Sequence, residues 1–134
     1  MPKITFNKKT IGTDQATYII AEIGINHQGD VQLAKELIQA AKDSGADAVK
    51  LQKRSIHRIL TQEGLDMPYD NRNSFGATYG EHKRALELSE DDYHTLFYFA
   101  HNLDVDFCAS GWDEESIDFL NTLGVPFFKM ASAD

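Results

Sequence analysis

Apolar and polar positions along the chain alternate between two periods, and the switches mark its elements. Thr5 to Gly12 reads as a small hairpin, with β-prone Ile4-Thr-Phe and Thr10-Ile around a polar Asn7-Lys-Lys turn. A continuous apolar run from Tyr18 to Gly24 follows, the pattern of a strand buried on both faces. After the loop Asn26-His-Gln-Gly29, Asp30 stands as an N-cap. Leu33, Ala34, Leu37, Ile38 and Ala41 then recur at helical spacing until Ser44-Gly45. A second buried strand spans Ala48 to Gln52. From Lys53 to Leu88 the chain is polar and weakly periodic, far longer than the usual βα connection of about 2–6 residues, which predicts a functional insertion or lid. Ser89-Glu-Asp-Asp92 reads as a capping box for a helix to Asn102, with Tyr93, Leu96, Phe97 and Ala100 on one face. A third strand covers Val105 to Ser110. Asp113 caps a helix bearing Ile117, Leu120 and Leu123, which Gly124 stops, and a fourth strand is expected over Pro126 to Ala131. Strands recurring with helical crossovers imply an α/β fold with a parallel sheet.

Composition narrows the partners. The 134 residues carry 13 Lys and Arg against 21 Asp and Glu, a formal net charge of −8. Nucleic acid and anionic membranes, which require clustered cations, are therefore excluded as main partners. A single cysteine, Cys108, leaves no intrachain disulfide and suits a reducing compartment. The N-terminus lacks a signal-peptide pattern, and Tyr18 to Ile25 is too short to span a bilayer. The expectation is a cytoplasmic protein.

Strand parity supplies the candidate chemistry. Ile19, Ala21 and Ile23 share one face of the first strand, which leaves Glu22 on the other near the C-terminal end. Val49 and Leu51 likewise leave Lys50 and Gln52; Phe107 and Ala109 leave Cys108 and Ser110; Phe128 and Met130 leave Lys129. Each strand thus places a polar group on the face away from the helices, at the end where parallel α/β folds bind ligands. Two lysines on nearby strands repel, so an anion between them is expected, a phosphate or carboxylate with Ser110 and Ser132 as hydroxyl donors. The blander alternative is a Glu22–Lys50 ion pair that does no chemistry.

Other reactive residues say less. His27, His57, His82, His94 and His101 show no metal-ligand spacing, and His94 and His101 are expected to face solvent. His27, in the first βα loop, is a weaker candidate for a ligand contact. Cys108 reads as a small buried hydrophobe rather than a nucleophile. Trp112 either lines the site or covers a helix end.

Four strings, Ile20-Ala-Glu-Ile-Gly-Ile-Asn-His-Gln-Gly-Asp30, Gly45-Ala-Asp-Ala-Val-Lys-Leu-Gln-Lys53, Tyr79-Gly-Glu-His-Lys-Arg84 and Val125-Pro-Phe-Phe-Lys-Met-Ala-Ser132, strongly resemble the sialic acid synthase family, the N-acetylneuraminate and related nonulosonate synthases. The resemblance implies a (β/α)₈ TIM barrel, of which this chain would hold an N-terminal hairpin and the first four strands. The barrel's C-terminal half and the antifreeze-like domain would lie outside residues 1–134. It implies condensation of phosphoenolpyruvate with N-acetylmannosamine or a related N-acetylhexosamine, and release of phosphate. Carried over by position, Glu22 and Lys50 are catalytic, Glu22 near the sugar aldehyde and incoming water. Lys50 and Lys129, with Ser110 and Ser132, bind phosphoenolpyruvate; Gln52 and Asn73 contact the sugar. Ala131 replaces a common glycine. The divalent metal, manganese or magnesium, would have its ligands outside this chain. The fragment alone is expected to be inactive and to pair as a homodimer, through its open sheet edges. Alternatives are a phosphoenolpyruvate-binding half-barrel without catalysis, or another phosphoenolpyruvate-dependent aldol-type synthase on the same superfold.

Overall fold

Antiparallel strands β1 (Ile4–Phe6) and β2 (Lys9–Ile11) open the fold, joined at Asn7, whose φ of 49° supplies the tight turn. The structure is a computed structural model and describes residues 2–132. Strand β3 (Ile20–Gly24), helix α1 (Val31–Asp43) and strand β4 (Ala48–Lys53) follow. Three short helices, α2 (Ile56–Ile59), α3 (Gln62–Asp66) and α4 (Tyr79–Ala85), fill the long polar segment. Helix α5 (Glu90–Asn102), strand β5 (Asp106–Gly111) and helix α6 (Glu114–Leu123) complete the order. Strands β3, β4 and β5 form one parallel sheet in that order.

The helices end where the sequence says they should. Asp30 accepts from the backbone N–H groups of Gln32 and Leu33 at 2.7 and 3.2 Å. Ser89 and Asp92 form a reciprocal capping box, Asp113 accepts from Ser116 N–H, and Gly124 closes α6 at a φ of 85°. Caps satisfy the first N–H groups, which otherwise have no partner. The apolar faces of α1, α5 and α6 then pack on one face of the sheet. Ile23, Val49, Leu51, Phe107 and Ala109 meet Ala34, Ile38, Tyr93, Leu96, Ala100 and Leu120 in one core.

The hairpin is fastened where the strands begin. Asp106, first residue of β5, accepts from the Asn7 amide and the Tyr18 hydroxyl, both at 2.6 Å, and Lys9 Nζ donates to the Asp47 carbonyl at 2.8 Å. Phe6 packs on Tyr18 and Phe127, each with ring centroids 5.3 Å apart. The strands' C-terminal ends, opposite this cluster, carry the candidate chemistry.

Two expectations are corrected. Strand β3 is not buried on both faces: Ile20 is 43% exposed and Ile19, just before it, 49%, since among the described residues β3 has a neighbour on one side only. The fourth strand is not formed. The segment 125–131 runs past β5, from Phe127 beside the hairpin to Met130 beside Trp112, without ladder pairing. Pro126 has no N–H to give, and Phe128 and Met130 are 43% and 66% exposed, so burial does not stabilise an ordered strand there.

Candidate functional site

Glu22, Lys50 and Cys108 lie side by side across the sheet, since Glu22 pairs in register with Lys50 and Lys50 with Cys108. One step further along, Gln52 pairs with Ser110. All point away from the helices, as the alternation of the strands requires. Lys50 Nζ forms an ion pair with Glu22 Oε2. The partners are unequal: the lysine side chain is 13% exposed, the carboxylate 52%. A cation largely out of water beside a half-exposed carboxylate leaves the Glu22 side of the pair open to solvent or a polar ligand.

A bulge shapes the space above the pair. The β3–β4 register shifts between Glu22 and Gly24, and Gly24 turns left-handed at a φ of 59°. A Cβ at position 24 would stand 3.3 Å from Glu22 Oε1 and 3.5 Å from Gln52 Nε2. Glycine therefore brings carboxylate and amide to the same small opening. Below it hydrogen bonds hold the backbone of β4 in place. The buried Tyr93 hydroxyl donates to the Gln52 carbonyl at 2.6 Å, and the backbone N–H of Trp112 donates to the Lys53 carbonyl at 3.1 Å. Burial pushes the Cys108 thiol up to about 12, with Lys50 pulling it down only in part. Cys108 is thus the buried hydrophobe expected from sequence.

The long insertion packs at this end of the sheet. Gly29, in the loop after β3, lies so close to α4 that a Cβ would meet the Ala85 carbonyl at 2.2 Å. Arg54, just after β4, donates from Nε to Glu87 Oε1 at 2.6 Å, with 5% and 14% of the two side chains exposed. Burial raises the Glu87 carboxyl above its ordinary range, and Arg54 opposes that rise. His27 is buried rather than presented to a ligand; its Nδ1 accepts from Gly29 N–H at 3.1 Å. Desolvation, with Arg54 second, lowers its pKa and keeps the ring neutral. His94 and His101 are exposed, as expected.

Four of the seven candidate residues therefore converge: Glu22, Lys50, Gln52 and Ser110, the last 4% exposed. Lys129 and Ser132 are exposed on the unpaired segment, where the Lys129 ammonium donates to the Met130 carbonyl of its own backbone. Without a ladder, strand parity does not hold for them. Asn73 is exposed near the tip of the 69–78 loop. The sequence reading missed Gly24, Tyr93 and the Arg54–Glu87 pair; the one available signal was Gly24 itself, ending an apolar strand where a bulge is expected. Among the described residues, no group of three or more His, Cys, Asp or Glu side chains is placed to hold a metal ion. No described helix is long and apolar enough to cross a membrane.

Comparison with known proteins places these features. The NeuB family model matches residues 37–134. The N-acetylneuraminate-9-phosphate synthase of Mus musculus is 47% identical over 124 residues, covering 92% of this chain and 34% of its own length. The N,N'-diacetyllegionaminic acid synthase of Legionella pneumophila is 44% identical over 127 residues, 94% of this chain and 36% of its own. The crystal structure of the N-acetylneuraminic acid synthetase of Leptospira borgpetersenii superposes with a TM-score of 0.74 at 29% identity, over 99% of this chain and 42% of that one. The chain spans about a third of the length of these curated relatives.

Proposed function

Since the chain belongs to the NeuB family, we propose that it carries part of the active site of a nonulosonic acid synthase, which joins phosphoenolpyruvate to an open-chain N-acetylhexosamine and releases phosphate. The observation that carries this reading is the half-open Glu22–Lys50 pair at the C-terminal ends of parallel strands, with Gln52 and Ser110 beside it.

In the proposed reaction Lys50 neutralises the anionic substrate, and the Ser110 hydroxyl donates to it. The enol carbon attacks the sugar aldehyde carbon, forming the C–C bond, and the aldehyde oxygen takes up a proton. Water adds at the former enol-phosphate carbon and gives its proton to Glu22. Phosphate then leaves with cleavage of the C–O bond, while the new hydroxyl becomes the ketone carbonyl and its proton passes to the departing phosphate. Gln52 and Asn73 hold the sugar, and Lys129 and Ser132 join the phosphate once their segment is paired into a sheet. A manganese or magnesium ion enters the proposal only for a longer protein whose further residues ligate it. The cytoplasm and a homodimer are the proposed setting.

Calorimetric titration of phosphoenolpyruvate into the 134-residue chain tests the binding half. Heat from the wild type that is lost in Lys50→Ala is expected; no heat, or unchanged binding by the variant, refutes it. Phosphate release from phosphoenolpyruvate and N-acetylmannosamine with manganese is expected to be absent for this chain alone, and turnover would overturn that part.

A further inference from the structure

His82 on α4 is 8% exposed and sits in an aromatic nest, its ring centroid 4.4 Å from that of Tyr69, 5.8 Å from Phe75 and 6.4 Å from Tyr79. Its Nδ1 accepts the backbone N–H of Phe75 at 3.2 Å. The loop carrying Phe75 is zipped at its base: Pro68 bridges Thr78, Tyr69 N–H donates to Ala77 O at 2.9 Å, and Tyr79 N–H to Met67 O at 2.8 Å. Its tip makes local turns, Ser74 N–H to Asn71 O at 3.0 Å and Asn73 N–H to the Asn71 side chain at 2.9 Å. The Phe75–His82 bond ties that tip to the helix.

An imidazole nitrogen that accepts a hydrogen bond must be unprotonated, whereas a protonated ring has only donors. We propose that His82 is a positioning residue, whose neutral ring latches the 69–78 loop against α4 and whose protonation frees the tip bearing Asn73. This goes beyond the proposed reaction and does not depend on it, because the release is read from the loop itself.

The surrounding charges favour the latched form. Lys83 on the same helix and Arg54 from the end of β4 both disfavour a second cation at His82, and desolvation, the largest cause, lowers its pKa further. Two acids of this region are engaged elsewhere: Glu81 on the same helix accepts from Ala77 and Thr78 N–H, and Glu87 just beyond it from Arg54. Tyr69 and Tyr79 contribute rings, and Asp70 and Arg72 stand exposed on the loop. The latch is therefore shut at neutral pH and opens only on acidification.

Hydrogen exchange followed by NMR on the 134-residue chain, with the His82 ring titrated in parallel, provides the test. The Phe75 protection factor should fall by up to about tenfold per pH unit as the pH drops towards the His82 midpoint, and be largely lost below it, while the β5 amides stay protected. His82→Asn retains an acceptor that does not titrate and should keep Phe75 protected across the range. His82→Phe keeps an aromatic ring without an acceptor and should leave Phe75 unprotected at every pH. The proposal is overturned if Phe75 protection does not follow the His82 titration, if it falls only together with the β5 amides, or if His82→Phe protects Phe75 as the wild type does.

Discussion

Two carboxylate–cation pairs sit at the same end of the sheet, and they are built for different work. Arg54 and Glu87 are enclosed between the end of β4 and the end of α4, 5% and 14% exposed, with the guanidinium Nε donating to the carboxylate and Nη2 close to the same oxygen. Glu22 and Lys50 lie on the open face, the carboxylate 52% exposed and its oxygen beside the Gly24 gap. Charge types and spacing are similar; access to water differs. The closed pair is a joint between the insertion and the parallel sheet, because neither partner tolerates losing the other. The open pair can exchange its partner for a ligand at little cost to the fold.

The largest expected effect falls on the closed pair. Glu87→Ala strands the Arg54 charge in a buried site and should cost about 3–5 kcal/mol in chemical denaturation; a loss below about 1 kcal/mol would erase the distinction. The next effect is on the open pair's ligand. Lys50→Ala should weaken phosphoenolpyruvate binding about 10- to 100-fold by calorimetry, the loss of a charge-assisted hydrogen bond of about 1.5–3 kcal/mol.

Acid should act through the closed region. His27 and His82 both have lowered pKa values and both feel Arg54, so just below the ordinary histidine range of about 6.5 the folded chain binds fewer protons than the unfolded one. Their contribution to stability is present above that range and is lost as the pH falls through it. Glu87 has the opposite sign, its raised pKa favouring the fold towards acid. A urea midpoint lower at pH 6 than at pH 8 is expected; a flat profile would remove the histidines from the comparison. Smaller again is Glu22→Gln, which should change stability by about 1 kcal/mol, because the half-exposed carboxylate is well screened and the amide can still accept a hydrogen bond from Lys50. Least of all, Cys108 should resist thiol reagents at pH 8 in the native chain and react at once in urea, since burial holds the thiol protonated.

Strand parity made much of the site legible from sequence. A strand paired on a packed sheet alternates strictly, so the apolar positions Val49, Leu51, Phe107 and Ala109 fix where Lys50, Gln52 and Ser110 point. The same alternation at Phe128, Lys129 and Met130 predicted a strand that is not there, because a strand is a property of a pair and this segment has no ladder. Helices α2, α3 and α4 went unread for a related reason: they are too short to show a period and depend on contacts with the rest of the fold. Thr78 and Glu81 did carry a capping box, a signal the weak periodicity around it obscured. Arg54 and Glu87 lie 33 positions apart, so only the folded chain brings them together.

The bulge at Gly24 gives the chain an inexpensive off-switch. A residue with any side chain there meets a backbone angle that L-amino acids avoid, and its first carbon enters the gap between carboxylate and amide. Every charged group of the cluster would survive such a change. A drifting copy of this chain could therefore lose the proposed site while an inventory of its candidate residues still looked complete, and position 24 is where to look first.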